Sequence, residues 1–408
     1  MNILFVHQNF PGQFKHLAPA LKRAGHAVTA LCINGAGLPD IPMHRYHPQR
    51  GSSRGIHPWA ADFETKVLRG EACATAAERL RAEGLRPDVI VSNPGWGESL
   101  FLKDVWPRAR VLELLEYFYA AKGLDLDFDP EFSQLGLAAE ARLRTKNAHL
   151  LMALSAMDAG MSPTHFQRGT LPTAYRDRVE VIFDGIDTTL VRPNGAVQAQ
   201  VGDRMLRAGD EIITFVNRNL EPMRGYHIFM RALPRILRER PNAVVLIVGA
   251  DGVSYGATAP DGATWKQIFL DEVKSELDPY LNPARVHFLG RLGYADYLRV
   301  LQLSRCHVYL TYPFVLGWSC IEAMSAGCVV VGSATLPVQE VIDHGKNGLL
   351  TNFFDSQALA QNVIDVLAHP ERYQRMRESA RQTVIERYDL ASICLPQQTA
   401  LVERLARA

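Results

Sequence analysis

TYPFVLGWSCIEAMSAGCVVVGS, residues Thr311 to Ser333, decides the architecture of this 408-residue chain. It reads as a strand running into a loop, then a helix, WSCIEAMSAG, closed by Gly327, then a second strand, CVVVG. Short apolar runs bounded by glycine fit strands buried on both faces, and the helix between them supplies the crossover of a parallel pair. The single charge in the stretch is Glu322. A buried carboxylate needs partners, because desolvating it unpaired is costly. The free N–H groups at the helix start, beside Gly317, suit a phosphate or sugar oxygen. Glu322, one turn further in, could accept hydrogen bonds from a pair of ligand hydroxyls. A helix cap or a neighbouring arginine would satisfy it as well.

The same alternation extends in both directions. Upstream, NILFVH (2–7), AVTALC (27–32), DVIVS (88–92), RVLELL (110–115), HLLMALS (149–155) and RVEVIFDG (178–185) read as strands, with helices near 12–23, 72–82 and 132–146. From 187 to 210 the periodicity fails around Pro193, Asn194 and Gly195, as in a linker and hinge. It restarts with EIITFVN (211–217), a helix over 226–240, AVVLIVG (243–249), VHFLG (286–290), CHVYLTY (306–312) and NGLLT (347–351). Strands alternating with helices give an α/β chain of two doubly wound, Rossmann-like domains. Their expected limits are 1–190 and 211–385, with a linker at 191–210 and a C-terminal helix at 386–408 able to pack back on the first domain. Such sheets bind ligands outside the carboxyl ends of their strands, so two of them facing each other enclose a cleft. The segment 250–285, rich in Gly and Pro at SYGATAPDG, reads as a mobile lip or a passive elaboration.

Composition narrows the function. Hydrophobic residues make up 47% and charged residues 21%, and 44 basic against 43 acidic residues leave a net charge of +1. That balance gives no case for nucleic acid as a main partner. Six scattered cysteines without a C-x-x-C pair suit a reduced, cytoplasmic setting. The opening MNILFVHQNF reads as a strand rather than a signal peptide, and no apolar run approaches the roughly 20 residues of a membrane span. Arg142, Arg144 and Lys146 could lie on an anionic membrane as a peripheral contact, or form a solvated face.

The order RVEVIFDGID, FVNRNLEPMRGYH, VVLIVG, VHFLGRLGY, IEAMSAGCVVV and LPVQEVIDHGKNGLL resembles the family-4 glycosyltransferases of the GT-B fold, nearly end to end in the second domain and more loosely in the first. The resemblance implies a nucleotide diphosphate sugar as donor on the second domain and a hydroxyl acceptor on the first, a saccharide, a small molecule or a lipid-linked or polysaccharide chain. It implies transfer of a hexose-like unit with retention. A nucleotide-sugar 2-epimerase and a noncatalytic sugar-nucleotide binding protein are the alternatives.

Arg218 and Arg224 stand where the family has a cation pair, suited to a diphosphate whose charge grows as the glycosidic bond breaks; two solvated surface arginines are the plainer reading. Glu322 matches the second Glu of the family's E-x7-E motif, a clamp on ribose hydroxyls, while the place of the first Glu is taken by Phe314. Backbone N–H groups of Val315, Leu316 and Gly317 could then hold sugar and phosphate. Arg291 and Leu292 fall beside the expected base pocket, and Gly12 matches the glycine loop that approaches the diphosphate. His7, ending the first strand, binds a ligand or is a packed, hydrogen-bonded histidine. Glu116 replaces a frequent family His and binds a donor hydroxyl or orients the acceptor, with Tyr117 and Tyr119 stacking on sugar, or is a surface Glu beside core tyrosines. Arg168 is a further cleft candidate, and Asp187 reads as a turn cap. Neither a metal nor another cofactor is expected.

Overall fold

The computed structural model describes residues 1–133, 135–281 and 285–407. Two compact units divide the chain. The first takes in Met1–Asp127, Ser133–Gly185 and the chain from Leu390 onward; the second takes in Phe128–Phe132 and Ile186–Asp389.

In the first unit β1 (Asn2–Val6), β2 (Ala27–Cys32), β3 (Met43–Arg45), β4 (Val89–Ser92), β5 (Arg110–Leu114), β6 (Ala159–Ser162) and β7 (Val179–Val181) form one sheet in the order β3-β2-β1-β4-β5-β6-β7. Every pairing is parallel, and Ile3 of β1 meets Val28 on one side and Val89 on the other. The strand order therefore reverses beside β1, which opens a crevice at the carboxyl ends of β1 and β4. The core below it is built on Phe5, Phe10, Phe14, Leu17 and Leu21, with Leu401 and Val402 of the C-terminal helix Leu395–Arg407 packed against them.

The second unit holds the antiparallel pair β8 (Gln198–Val201) and β9 (Arg204–Arg207), and a parallel sheet of β10 (Ile212–Asn219), β11 (Val244–Ala250), β12 (Val286–Gly290), β13 (Cys306–Tyr309), β14 (Val329–Ser333) and β15 (Leu349–Thr351). Its order is β12-β11-β10-β13-β14-β15, so the switch point lies between β10 and β13. The helix Tyr226–Glu239 buries Ile228, Phe229, Leu233 and Leu237, and Phe229 stacks on Phe215 of β10 with centroids 4.5 Å apart.

Several expectations need correction. HLLMALS is not a strand but most of the helix Ala148–Ala156; its Leu, Met and Ala are good helix formers and no residue in the run is β-branched. The strand of that region is β6, AGMS, whose small residues give little hydrophobic signal. The helix expected near 132–146 starts at Leu137, and the one near 72–82 starts at Ala61. The presumed linker 191–210 lies inside the second unit as the β8–β9 hairpin, its two-residue turn formed by Gly202 and Asp203, with Gly202 at φ +56°. Unit boundaries fall at Gly185/Ile186 and Asp389/Leu390. Within the expected lip a regular helix, Trp265–Leu281, follows the loop; residues 282–284 lie outside the described chain.

Candidate active site

In the second unit the predicted residues gather at the carboxyl ends of the strands. Arg224 ends a short turn, Pro222–Arg224, before the helix Tyr226–Glu239. Gly225 makes that approach possible: its φ is +67°, and a Cβ there would lie 2.3 Å from the Cβ of Leu310 just beyond β13. Arg224 is 7% exposed. Its Nη1 donates to the Thr311 hydroxyl (2.8 Å) and to the Val315 carbonyl (3.0 Å), both neutral. Its guanidinium lies over the rings of Tyr255 (5.2 Å) and Phe314 (5.6 Å), which are themselves 5.0 Å apart. No carboxylate is within ion-pair distance of it among the described residues. Arg218 differs: it lies at the irregularity of β10 between Val216 and Asn219, its side chain exposed.

Phe314, at 3% exposure, fills the position of the missing carboxylate with a ring pressed on Arg224 and Tyr255. Tyr255 is fixed by a residue the sequence did not single out. The buried carboxylate of Glu221 accepts the backbone N–H groups of Ser254, Tyr255 and Gly256 at 3.1 to 3.4 Å. The first part of the presumed lip is thus pinned from below. A Glu three residues before the arginine in EPMR was its only signal.

Glu322 lies on the helix Trp318–Ala326 at 5% exposure. Neither a cap nor an arginine satisfies it. Tyr294 donates to its Oε1 (2.7 Å) and Tyr297 to its Oε2 (2.6 Å), and both phenols are raised well above their ordinary range, by burial first and by the Glu322 charge second. Both belong to the helix Tyr294–Leu303, just after the exposed Arg291 and half-buried Leu292. One candidate N–H is already used: Gly317 donates to the Tyr309 hydroxyl at 2.7 Å. Val315 and Leu316 precede it on the same loop.

In the first unit His7, Gln13, Asn93 and Glu116 form one network at the carboxyl ends of β1, β4 and β5. His7 is buried, and burial holds its pKa below the ordinary value. Its Nδ1 accepts the Asn9 N–H (3.0 Å), so Nε2 carries the proton and donates to Gln13 Oε1 (2.7 Å). Gln13 Nε2 donates to Glu116 Oε1 and Asn93 Nδ2 to Glu116 Oε2, both at 3.0 Å. Trp96 meets the His7 ring edge-on at 4.8 Å. Gly12 has φ +48°, and a Cβ there would strike the His7 ring at 2.3 Å, so the glycine is required by the histidine it covers. Gln13, Asn93 and Trp96 were not foreseen; SNPGW, with an Asn accepting the Gly95 N–H, was the one available cue.

Other candidates are displaced. Tyr117 is buried with its hydroxyl donating to Asp125 (2.8 Å), so it cannot stack on a sugar. Tyr119 is half-buried under the ammonium of Lys146, 3.6 Å from the ring centre, which removes Lys146 from the solvated face where Arg142 and Arg144 stand. Arg168 donates to the Arg176 carbonyl and lines an open groove with Glu180 and Arg404 beside β7. Asp187 does cap its turn, accepting from Thr189 and Leu190.

Among the described residues one group of metal-ligand type lies close together, Asp129, Glu131 and His227. Its acids are engaged already. Glu131 makes a two-point pair with Arg231, and Asp129 accepts from Tyr312 at 2.6 Å and lies 3.1 Å from His227. The six cysteines are all buried, and no described helix is long and apolar enough to cross a membrane.

A family model described as "Glycosyl transferase family 4 group" matches residues 24–191, and one described as "Glycosyl transferases group 1" matches residues 201–383. The chain is 28% identical over 207 residues to a D-inositol 3-phosphate glycosyltransferase of Nocardia farcinica, which is 50% of this chain and 43% of that protein. It spans about half the length of the curated relatives it matches. Two solved structures align over 100% of both chains at 17% identity: sucrose-phosphate synthase of Thermosynechococcus elongatus, with a TM-score of 0.73, and HepE of Anabaena in complex with UDP and glucose, with a TM-score of 0.65. At that identity they speak to the fold alone.

Proposed function

The chain belongs to the family-4 glycosyltransferases of the GT-B fold, and from that premise we propose that it moves a hexose-like sugar, with retention, from a nucleotide diphosphate sugar to a hydroxyl acceptor. The observation that carries this reading is Arg224, a buried cation with two neutral acceptors and no acid partner among the described residues. A desolvated charge left without a counter-charge is costly, and an anionic ligand removes the cost. A diphosphate leaving group supplies that anion, and its charge grows as the glycosidic bond breaks, so Arg224 stabilises the transition state more than the ground state. Arg218, exposed at the end of β10, adds a second positive charge on the same strand-end face.

Same-face attack assisted by the departing phosphate suits the acceptor unit. Glu116, the carboxylate of the first unit's polar network, has each oxygen held by a neutral amide, which suits binding a ligand hydroxyl better than serving as a nucleophile. His7, neutral and fixed as the Nε2–H form, orders that network. The cation doing the work is an arginine, so the transfer needs no metal. The glycosyltransferases among the relatives weigh against the epimerase and noncatalytic readings.

Thermal-shift measurement tests the reading. UDP, ADP or GDP and its glucose conjugate should raise the melting temperature well beyond the matching nucleoside, since a ligand stabilises the state it binds. Equal shifts with diphosphate and nucleoside would sink it.

A further inference from the structure

We propose that the free edge of β7 is a docking site for an extended acidic segment of a partner protein, which adds there as a further strand. β7 ends the sheet of the first unit and pairs with β6 alone. In a parallel ladder alternate residues turn their peptide groups to the neighbouring strand. Gly160 donates to the Arg178 carbonyl at 2.8 Å and Ile182 to the Ser162 carbonyl at 2.9 Å, so Arg178, Glu180 and Ile182 serve β6. Val179 and Val181 face outward, and among the described residues their N–H and C=O groups meet no partner. An unpaired edge of that kind is a template for another strand.

The edge lines an open groove of about 500 Å³ with a wall on each face of the sheet. On one face Ile182 shares a core cluster with Leu401 and Val402 of the helix Leu395–Arg407; on the other, Val179 shares one with Leu171, which follows the helix His165–Thr170. The first wall carries Arg404 and the second Arg168. Arg168 is anchored to the Arg176 carbonyl, with the fully exposed Asp177 4.0 Å away. Glu180, the one acid among the described residues lining the groove, pairs with Arg404 at 2.6 Å, and both side chains are more than half exposed. Such a surface pair contributes little and can be exchanged. Successive residues of a strand point to opposite faces, so two adjacent acids in an added strand meet the two arginines, one on each wall. A second copy of this chain is a poorer occupant, because pairing β7 with itself sets cationic walls against cationic walls.

The test is fluorescence polarisation of the full chain with a fluorescein-labelled octapeptide of valine and threonine carrying two adjacent aspartates at its centre. Binding should be saturable. Lysines in place of the aspartates should abolish it, and N-methylation across the centre, which removes strand donors and keeps the charge, should weaken it about tenfold or more. Val181→Pro removes an outward N–H and leaves the ladder to β6 in place, and Arg404→Glu reverses one wall; each should cut affinity about tenfold. If Val181→Pro does not fold, the N-methylated peptide on the wild type decides. Equal binding of the N-methylated peptide would overturn strand addition in favour of charge attraction alone. Equal binding of the lysine peptide would overturn the acidic partner, and no saturable binding of the aspartate peptide would overturn the docking site.

Discussion

Replacing Arg224 by methionine separates binding from stability in a way few core substitutions do. In the ligand-free chain the guanidinium gains two hydrogen bonds and two ring contacts. Bonds from a charged donor contribute about 1.5–3 kcal/mol each and ring contacts about 0.5–2. Against that stands the desolvation of a cation with no acid beside it, several kcal/mol. The two are of similar size, and methionine keeps an apolar stem between Tyr255 and Phe314. The unliganded melting temperature should therefore move by only a few degrees. With a diphosphate bound the balance tips one way: losing the charge-assisted contacts costs about 2–4 kcal/mol, or roughly 30- to 1,000-fold in affinity. Calorimetry with UDP, ADP or GDP and the matching nucleoside reads both numbers, and nucleoside affinity should change less than about twofold. Equal loss for nucleoside and diphosphate, or a large loss of stability with diphosphate affinity intact, would refute the reasoning.

Two further predictions concern the first unit. Gly12→Ala combines a left-handed backbone with a 2.3 Å clash on His7, and should cost about 2–4 kcal/mol in urea unfolding; an unchanged midpoint would contradict the required glycine. Glu113 of β5 is buried, accepts the Ser92 hydroxyl at 2.6 Å, and burial pushes its carboxyl up to about 7. A carboxyl raised on folding binds its proton more tightly in the native state, so its contribution is fully present below about pH 4.5 and is lost as pH rises through 7. Glu113→Gln should therefore leave stability nearly unchanged at pH 4 and raise it by about 3 kcal/mol at pH 8, and a pH-independent effect would count against it.

How far the sequence could be read follows from where each partner comes from. β10, β11, β13 and β14 announce themselves because runs such as VVLIVG and CVVVG are dominated by β-branched Val and Ile, which favour a strand. HLLMALS failed because an apolar run of that length fits a buried strand and a buried helix alike. Arg224 was legible as a cation before a helix, but its isolation from every acid among the described residues was not, since isolation is a property of space. Glu322 was legible as an odd carboxylate; its satisfaction by Tyr294 and Tyr297, 28 and 25 residues earlier, was not. The link from Gln13 to Glu116 spans 103 residues and leaves no local trace. Phe314 was seen as a departure, and only its contact with Tyr255 shows that the departure is packed rather than open.

The five residues Phe128–Phe132 give the second unit an ancestry in two places along the gene. Phe128 packs on Tyr312, Phe353 and Phe354, Phe132 on His227, Trp265 and Phe269, and Asp129 caps the Tyr312 hydroxyl. A polypeptide cut from Ile186 to Asp389 would thus be born with an aromatic trough and a buried histidine stripped of its acid. Shuffling halves between relatives, a natural way to trade specificities in a two-part protein, is here constrained: whoever donates the second unit must also donate a pentapeptide from the middle of the first.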